Sequence, residues 1–251
     1  MLAILWRDLK IQYTRVFWLI ANFCSPLFYL FFFALMFSSS MSAMDIDGLK
    51  INYLKFFLPG LIIFQSFSVF QTTFTLVHLD RRLKILETIK NTNTTITEYF
   101  FAKAISAQLL AFAKALLVYL MGIIFFGLEF SAAKMAGLAL ILIVSNALWF
   151  NFGFILGISI NTEEKRDIFQ QLFMLPIVFL STIYYPNLNA PYGLALIVRA
   201  NPLTAACNIA RSVLLDIHTS SRQDFIYLIA YLLLSFCAAW IFFRFKRKEF
   251  I

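Results

Sequence analysis

Carboxylates and histidines are missing from the long apolar stretches of this 251-residue chain. All thirteen Asp and Glu residues, together with His78 and His218, fall between those stretches. Carriers driven by protons or sodium usually place such groups in the membrane interior, so their absence argues against ion-coupled transport, with ion sites built from backbone alone left open. The same lack deprives an intramembrane hydrolase of its base, and Gly157-Ile158-Ser159-Ile160 is no nucleophile elbow. No Gly-x-x-x-x-Gly-Lys-Ser/Thr loop occurs, which excludes ATP binding of the P-loop kind in this chain. Cysteine is scarce: Cys24, Cys207 and Cys237 form no disulfide frame and no metal-ligand spacing. Charge is scarce too, at 14% of residues, against about 25% in soluble domains. A soluble core of this length cannot bury so much apolar surface.

What the chain has is hydrocarbon. Hydrophobic residues make up 61% and mean hydropathy is +0.81. Six apolar segments, at about 16–37, 56–77, 104–126, 135–160, 168–185 and 225–243, approach or exceed the ~20 residues that cross a bilayer core. The first is too long for the core of a cleaved signal and reads as a retained helix. The net charge of +8 follows the positive-inside rule rather than a nucleic-acid partner. With the N-terminus in the cytoplasm, fourteen Lys and Arg fall inside, Arg7, Lys103 and the Arg244–Lys248 tail among them, and six fall outside. The expected fold is therefore an all-α membrane protein, one transmembrane domain over 1–251, with both termini inside.

Residues 1–15 place Leu2, Leu5, Trp6, Leu9 and Tyr13 on one helical face and Arg7, Lys10 and Thr14 on another, the pattern of an interface helix or a charged lead-in to the first span. Residues 186–224 hold apolar runs too short to span, interrupted by Pro191, Arg199, Asn201 and Pro202. They read either as re-entrant helices or as an external segment. Lys114 is the one cation inside a span, a cost of about 2.5–3.5 kcal/mol on insertion scales; it either lines a polar pathway or snorkels. Gln65, Ser66, Ser68, Gln71, Thr72, Thr73 and Thr75 make the second span unusually polar. Either they join helices or, with Gln65 and Gln71 foremost, they face the same pathway. From His78 to Lys103 runs a connector with a short amphipathic helix around Arg81–Lys90, a polar break at 91–95, and Thr97 as the expected cap of the next helix.

In that connector Leu86-Glu87-Thr88-Ile89, followed by Glu98-Tyr99 and Lys103, resembles the first cytoplasmic loop of the ABC-2 family of export permeases. Thr92-Asn93 stands where that family often has Thr-Pro, and Ala102 where Gly is usual. Phe57-Leu58-Pro59-Gly60-Leu61-Ile62 resembles the family's Pro-Gly opening of the second span. Asn201-Pro202-Leu203-Thr204 with Arg211 resembles its Asn-Pro-Leu and downstream Arg, and Arg7-Asp8-Leu9-Lys10 its N-terminal interface helix. The resemblance implies the membrane subunit of an ATP-driven exporter in a bacterial inner membrane. Two copies, identical or related, would pair with two separate ATPase subunits that hold ATP and magnesium, and this chain would carry no cofactor, no metal and no active site. It implies an amphipathic cargo, whether drug, lipid, glycolipid or polysaccharide. It further assigns ATPase coupling to Arg82, Ile85, Leu86, Glu87 and Ile89, and to Glu163, Glu164 and Arg166 in the compact 161–167 loop. The alternatives are a membrane scaffold or assembly factor and, behind it, an ion-coupled carrier.

Overall fold

The computed structural model describes residues 1–14, 16–38, 44–46, 49–90, 94–127, 131–185, 191–216 and 220–250. It is a helical bundle: α1 (Leu2–Thr14), α2 (Val16–Ser38), α3 (Tyr53–Arg82), α4 (Ile85–Lys90), α5 (Ile96–Phe126), α6 (Ala132–Ser159), α7 (Glu163–Phe179), α8 (Tyr192–Ala200), α9 (Pro202–Leu215) and α10 (Arg222–Phe250). One hairpin interrupts it, β1 (Met44–Ile46) antiparallel to β2 (Leu49–Ile51), with Met44 opposite Ile51.

Among the described residues four helices, α3, α5, α6 and α10, are long and apolar enough to cross a membrane, or five spans if the bent pair α8–α9 counts as one. The expected six spans are thus met in part, and two regions take a particular form. First, the segment foreseen at 168–185 is the 17-residue α7, which starts at Glu163 with charged residues and stops at Phe179. Beyond it the backbone bends through 180–185, because its carbonyls bond to side chains of α9 rather than continuing a helix. Second, 192–215 is two helices meeting at 76° at Asn201. Within α2 the described apolar stretch is Ile20–Phe33. Arg15, the break at 91–93, residues 186–190 and His218 lie outside the described residues, as do the side chains of the tail from 245 on.

Local chemistry sets the helix ends. Asn52 caps α3 through its side chain on the Leu54 amide. Thr95, not Thr97, caps α5: its hydroxyl accepts from the Glu98 amide while the Glu98 carboxylate accepts from the Thr95 amide, a reciprocal capping box. Thr97 only bonds the Thr95 hydroxyl. Thr162 caps α7. Lys84 turns the chain between α3 and α4 with φ of 55°.

The axis of the bundle is α3, whose most apolar window is 83% buried, whereas that of α10 is 17% buried. Glycines let α6 press against it. A Cβ at Gly153 would lie 2.6 Å from the Phe70 carbonyl oxygen, and one at Gly157 2.8 Å from Val77 Cβ. Small residues one turn apart allow such close backbone approach between membrane helices. Phe67, Phe70 and Phe74 of α3 pack with Trp149 of α6 and with Phe169 and Phe173 of α7. Phe243 of α10 closes on Phe100 and Phe154.

Candidate functional site

Two buried polar centres sit at opposite ends of α3. At its C-terminal end, α1 turns its polar side inward. Ile4, Asp8 and Gln12 are its buried residues, while Leu2, Trp6 and Tyr13 of the apolar face are exposed. The Lys103 ammonium forms ion pairs with both Asp8 and Asp80, at 2.9 and 2.6 Å. The Arg7 guanidinium reaches the same two carboxylates at 2.7 and 2.9 Å, and the Tyr99 hydroxyl donates to Asp80 at 2.8 Å. Lys103, Asp8 and Asp80 are each nearly sealed from solvent. Two anions and two cations thus cancel in a pocket built from α1, α3 and α5. Burial opposes the Arg7 charge, but Asp80 and Asp8 outweigh it and hold its pKa above the ordinary guanidinium value. Lys10, on the exposed side, lies 4.4 Å over the Trp6 ring.

The segments expected to couple to an ATPase lie at this same end. His78 Nδ1 is 2.9 Å from the Ile160 carbonyl oxygen, Arg81 donates to the Ile158 carbonyl, and Arg82 pairs with Glu163. These bonds join the end of α3 to the turn between α6 and α7. In α4, Leu86 and Ile89 are partly buried against the protein's own core, α4 following the left-handed turn at Lys84. Ile85 is half-buried, and the outward edge is Leu83, Lys84, Glu87 and Thr88. Glu164 is exposed, and Arg166 pairs with its neighbour Asp167 at 2.7 Å.

At the other end stands Arg211 of α9, 1% exposed. Its Nε donates to the Phe56 carbonyl at 3.1 Å, Nη1 to the Thr182 hydroxyl at 3.1 Å, and Nη2 to the carbonyls of Thr182 and Ile183. The guanidinium also lies 3.7 Å over the Phe56 ring. Among the described residues no carboxylate pairs with it. Asn201 completes the centre: its amide nitrogen donates to the carbonyls of Ile177 and Leu180, at 2.6 and 2.8 Å, while its oxygen caps α9 on the Leu203 amide. Thr204 accepts from the Thr182 amide. A Cβ at Gly60 would lie 2.8 Å from the Ile183 carbonyl oxygen, so Pro59-Gly60, Asn201-Pro202-Leu203-Thr204 and Arg211 converge on one irregular turn.

Between the two ends the polar residues of α3 face its neighbours. Ser66 bonds Ser145 at 2.7 Å, Gln71 donates to Met174 Sδ at 2.8 Å, and Gln170 reaches the Gln71 carbonyl and the Thr75 hydroxyl. Gln65 folds back on its own helix at Leu61. Lys114, 3% exposed, donates to the Ser68 hydroxyl at 2.6 Å. An aromatic groove of about 490 Å³ opens between α2, α3 and α7, walled by Phe28, Phe32, Phe64, Phe179 and Tyr184. Among the described residues no three His, Cys, Asp or Glu side chains group as metal ligands.

The centre of Arg7, Asp8, Asp80, Tyr99 and Lys103 was not legible as a unit in the sequence, where Arg7 and Asp8 stand in one motif, Tyr99 and Lys103 in another, and Arg7 and Lys103 count among the inside charges. A signal was present, since Asp80 and Lys103 flank one connector and each borders a long apolar run.

Residues 1–215 match the family described as ABC-2 type transporter. A curated protein of Cyanophora paradoxa, named "Putative transport permease ycf38", is 28% identical over 193 residues, which are 74% of this chain and 64% of that relative, so the match spans less than two thirds of the relative's length. By the extent of the family match, this helical membrane protein belongs to the ABC-2 type transporter family.

Proposed function

We propose that the chain is the permease subunit of an ATP-binding-cassette exporter and moves an amphipathic substrate outward. The work would come from a separate ATPase that holds ATP and magnesium. Two permease copies, identical or related, pair with two ATPases in a bacterial inner membrane, both chain ends being cytoplasmic. The first and fifth spans of this reading are α2 and α7, with α8–α9 dipping in from outside ahead of α10.

One observation carries the reading: Arg82 and Glu163, 81 residues apart, join the two segments expected to meet the ATPase into one unit. The charge centre anchors α1 beside that unit. A push on the edge of α4 then moves α3, α7 and α1 together. Packed elements of this kind switch between discrete arrangements rather than bending continuously.

The test is retention of the cognate ATPase on tagged permease, followed by substrate-stimulated ATP turnover. Leu83→Glu with Glu87→Lys alters only exposed positions, so the fold is expected to survive while the ATPase is lost or goes unstimulated. Full retention with full stimulation in that variant sinks the coupling role of α4. A wild-type permease that retains no ATPase sinks the exporter reading itself and favours the scaffold.

A further inference from the structure

Below the charge centre, α1, α2 and α3 enclose a cleft of about 230 Å³. Its polar lining is Gln12, Asn22, Gln71, Thr72 and Thr75, flanked by aliphatic side chains such as Ile11 and Leu76. Gln12 is 4% exposed, and neither atom of its carboxamide has a hydrogen-bond partner among the described residues. A buried amide left in that condition costs about 1–3 kcal/mol, and such a group calls for a partner to explain it. Across the cleft, the Gln71 amide nitrogen is bonded to Met174 sulfur, a weak acceptor that a hydroxyl would displace. Thr75 accepts from Gln170, which fixes its orientation.

The chemistry of the lining is selective. Among the described residues it offers amide and hydroxyl donors and acceptors but no charged side chain. Phosphates and carboxylates are normally met by Arg or Lys, so this cleft suits an uncharged group with several hydroxyls. Its volume lies below the roughly 300–1,000 Å³ of sites for drug-sized molecules, enough for a headgroup but not for a whole amphipath. The helix that carries Asn22 also presents apolar surface for the rest of such a molecule. Asn22 lines the cleft, and Phe28 and Phe32 of the same helix, about 9 and 15 Å further along, are exposed in the aromatic groove.

We propose that the cleft between α1, α2 and α3 binds the uncharged, hydroxyl-bearing headgroup of a lipid, with Gln12 and Gln71 as its principal hydrogen-bonding residues. The proposal rests on the membrane-permease reading and names a lipid class for it. Gln12 follows Asp8 by one turn on the same buried stripe of α1. A headgroup held by Gln12 thereby steadies the helix that carries Asp8 to Lys103.

The test uses the full chain in phosphatidylcholine nanodiscs without any ATPase, so its outcome is independent of the exporter reading. Native mass spectrometry counts retained lipid during titration with glucosyl diacylglycerol, with phosphatidic acid of the same chains, and with free glucose. The glucosyl lipid is expected to bind saturably, with Gln12→Ala and the near-isosteric Thr72→Val each weakening it about tenfold. Gln12→Ala is expected to fold at least as well as wild type, since it removes an unpartnered buried amide. Equal retention of phosphatidic acid, or unchanged glycolipid affinity in both variants, overturns the proposal. Glucose binding as tightly as the glycolipid overturns its lipid part and assigns the cleft to a soluble sugar.

Discussion

The two polar centres at the ends of α3 solve the same problem in opposite ways. Both withdraw cations from water. At the α1 end, Lys103 and Arg7 meet two carboxylates, and the charges cancel. At the α9 end, Arg211 meets only carbonyls, one hydroxyl and an aromatic face. Two of the carbonyls it satisfies, those of Thr182 and Ile183, belong to an unwound turn that has no helical partners for them, so cation and backbone answer each other's deficit. An ion-pair centre built from three helices can exchange partners if one helix shifts. A guanidinium whose fixed fork is bonded to three backbone carbonyls cannot. The difference assigns movement to the α1 end and anchorage to the α9 end.

Removal of Arg211 is the strongest way to break this contrast. Arg211→Ala leaves the carbonyls of Thr182 and Ile183 without this donor, at about 1–3 kcal/mol for each buried group left unmet. Loss of folded, monodisperse protein in size-exclusion chromatography is expected. Arg211→Lys rescues little, because one ammonium cannot reproduce the planar fork. An alanine variant with unchanged thermal midpoint would show that Arg211 is no anchor.

The charge centre makes a sharper test because it has a rescue. Asp80→Asn strands Lys103 and Arg7 on the single carboxylate of Asp8, and breaking a buried pair costs about 3–5 kcal/mol at most. The cost here falls lower, since Arg7 is partly exposed and turns to water. Adding Lys103→Met to Asp80→Asn removes the surplus cation, and stability is expected to return toward wild type. Substrate-stimulated ATP turnover is not expected to return with it. Recovery of both would make the centre a structural pairing only.

Legibility followed the same division. The α9 centre is built from short motifs, Pro59-Gly60, Asn201-Pro202-Leu203-Thr204 and Arg211, each already visible as a departure from a plain apolar run. Their meeting on one turn was not visible, since spacing along a chain says nothing about which helix ends touch. The apolar periods of α3, α5, α6 and α10 were read correctly because a long hydrophobic run leaves few alternatives. The extent of α7 was misjudged, since composition continues apolar past Phe179 while the carbonyls there are claimed from a distance by Asn201 and Arg211. In α1 the apolar positions were identified, but Asp8 and Gln12 were not recognised as its buried side. An amphipathic pattern alone assigns polar residues to solvent, and only the position of Lys103 reverses that assignment.

The smallest expected effect on stability, and the most specific for movement, belongs to Arg82 and Glu163. Both side chains are about half exposed, so their pairing contributes no more than about 1 kcal/mol. Arg82→Ala is therefore expected to leave the thermal midpoint within a few degrees of wild type. If the pair joins the two coupling segments, the same variant lowers substrate-stimulated ATP turnover while basal turnover and ATPase retention persist. The swap Arg82→Glu with Glu163→Arg restores stimulation, because it keeps the attraction and reverses only its direction. Salt offers an independent check. An exposed pair is screened as ionic strength rises, while the buried Lys103–Asp80 pair is not, so stimulation in the wild type should fall with added salt toward the level of Arg82→Ala and the fold should persist. Stimulation that ignores both the mutation and the salt would leave α7 uncoupled from α3 at this end and return all of the movement to α1 and its charge centre.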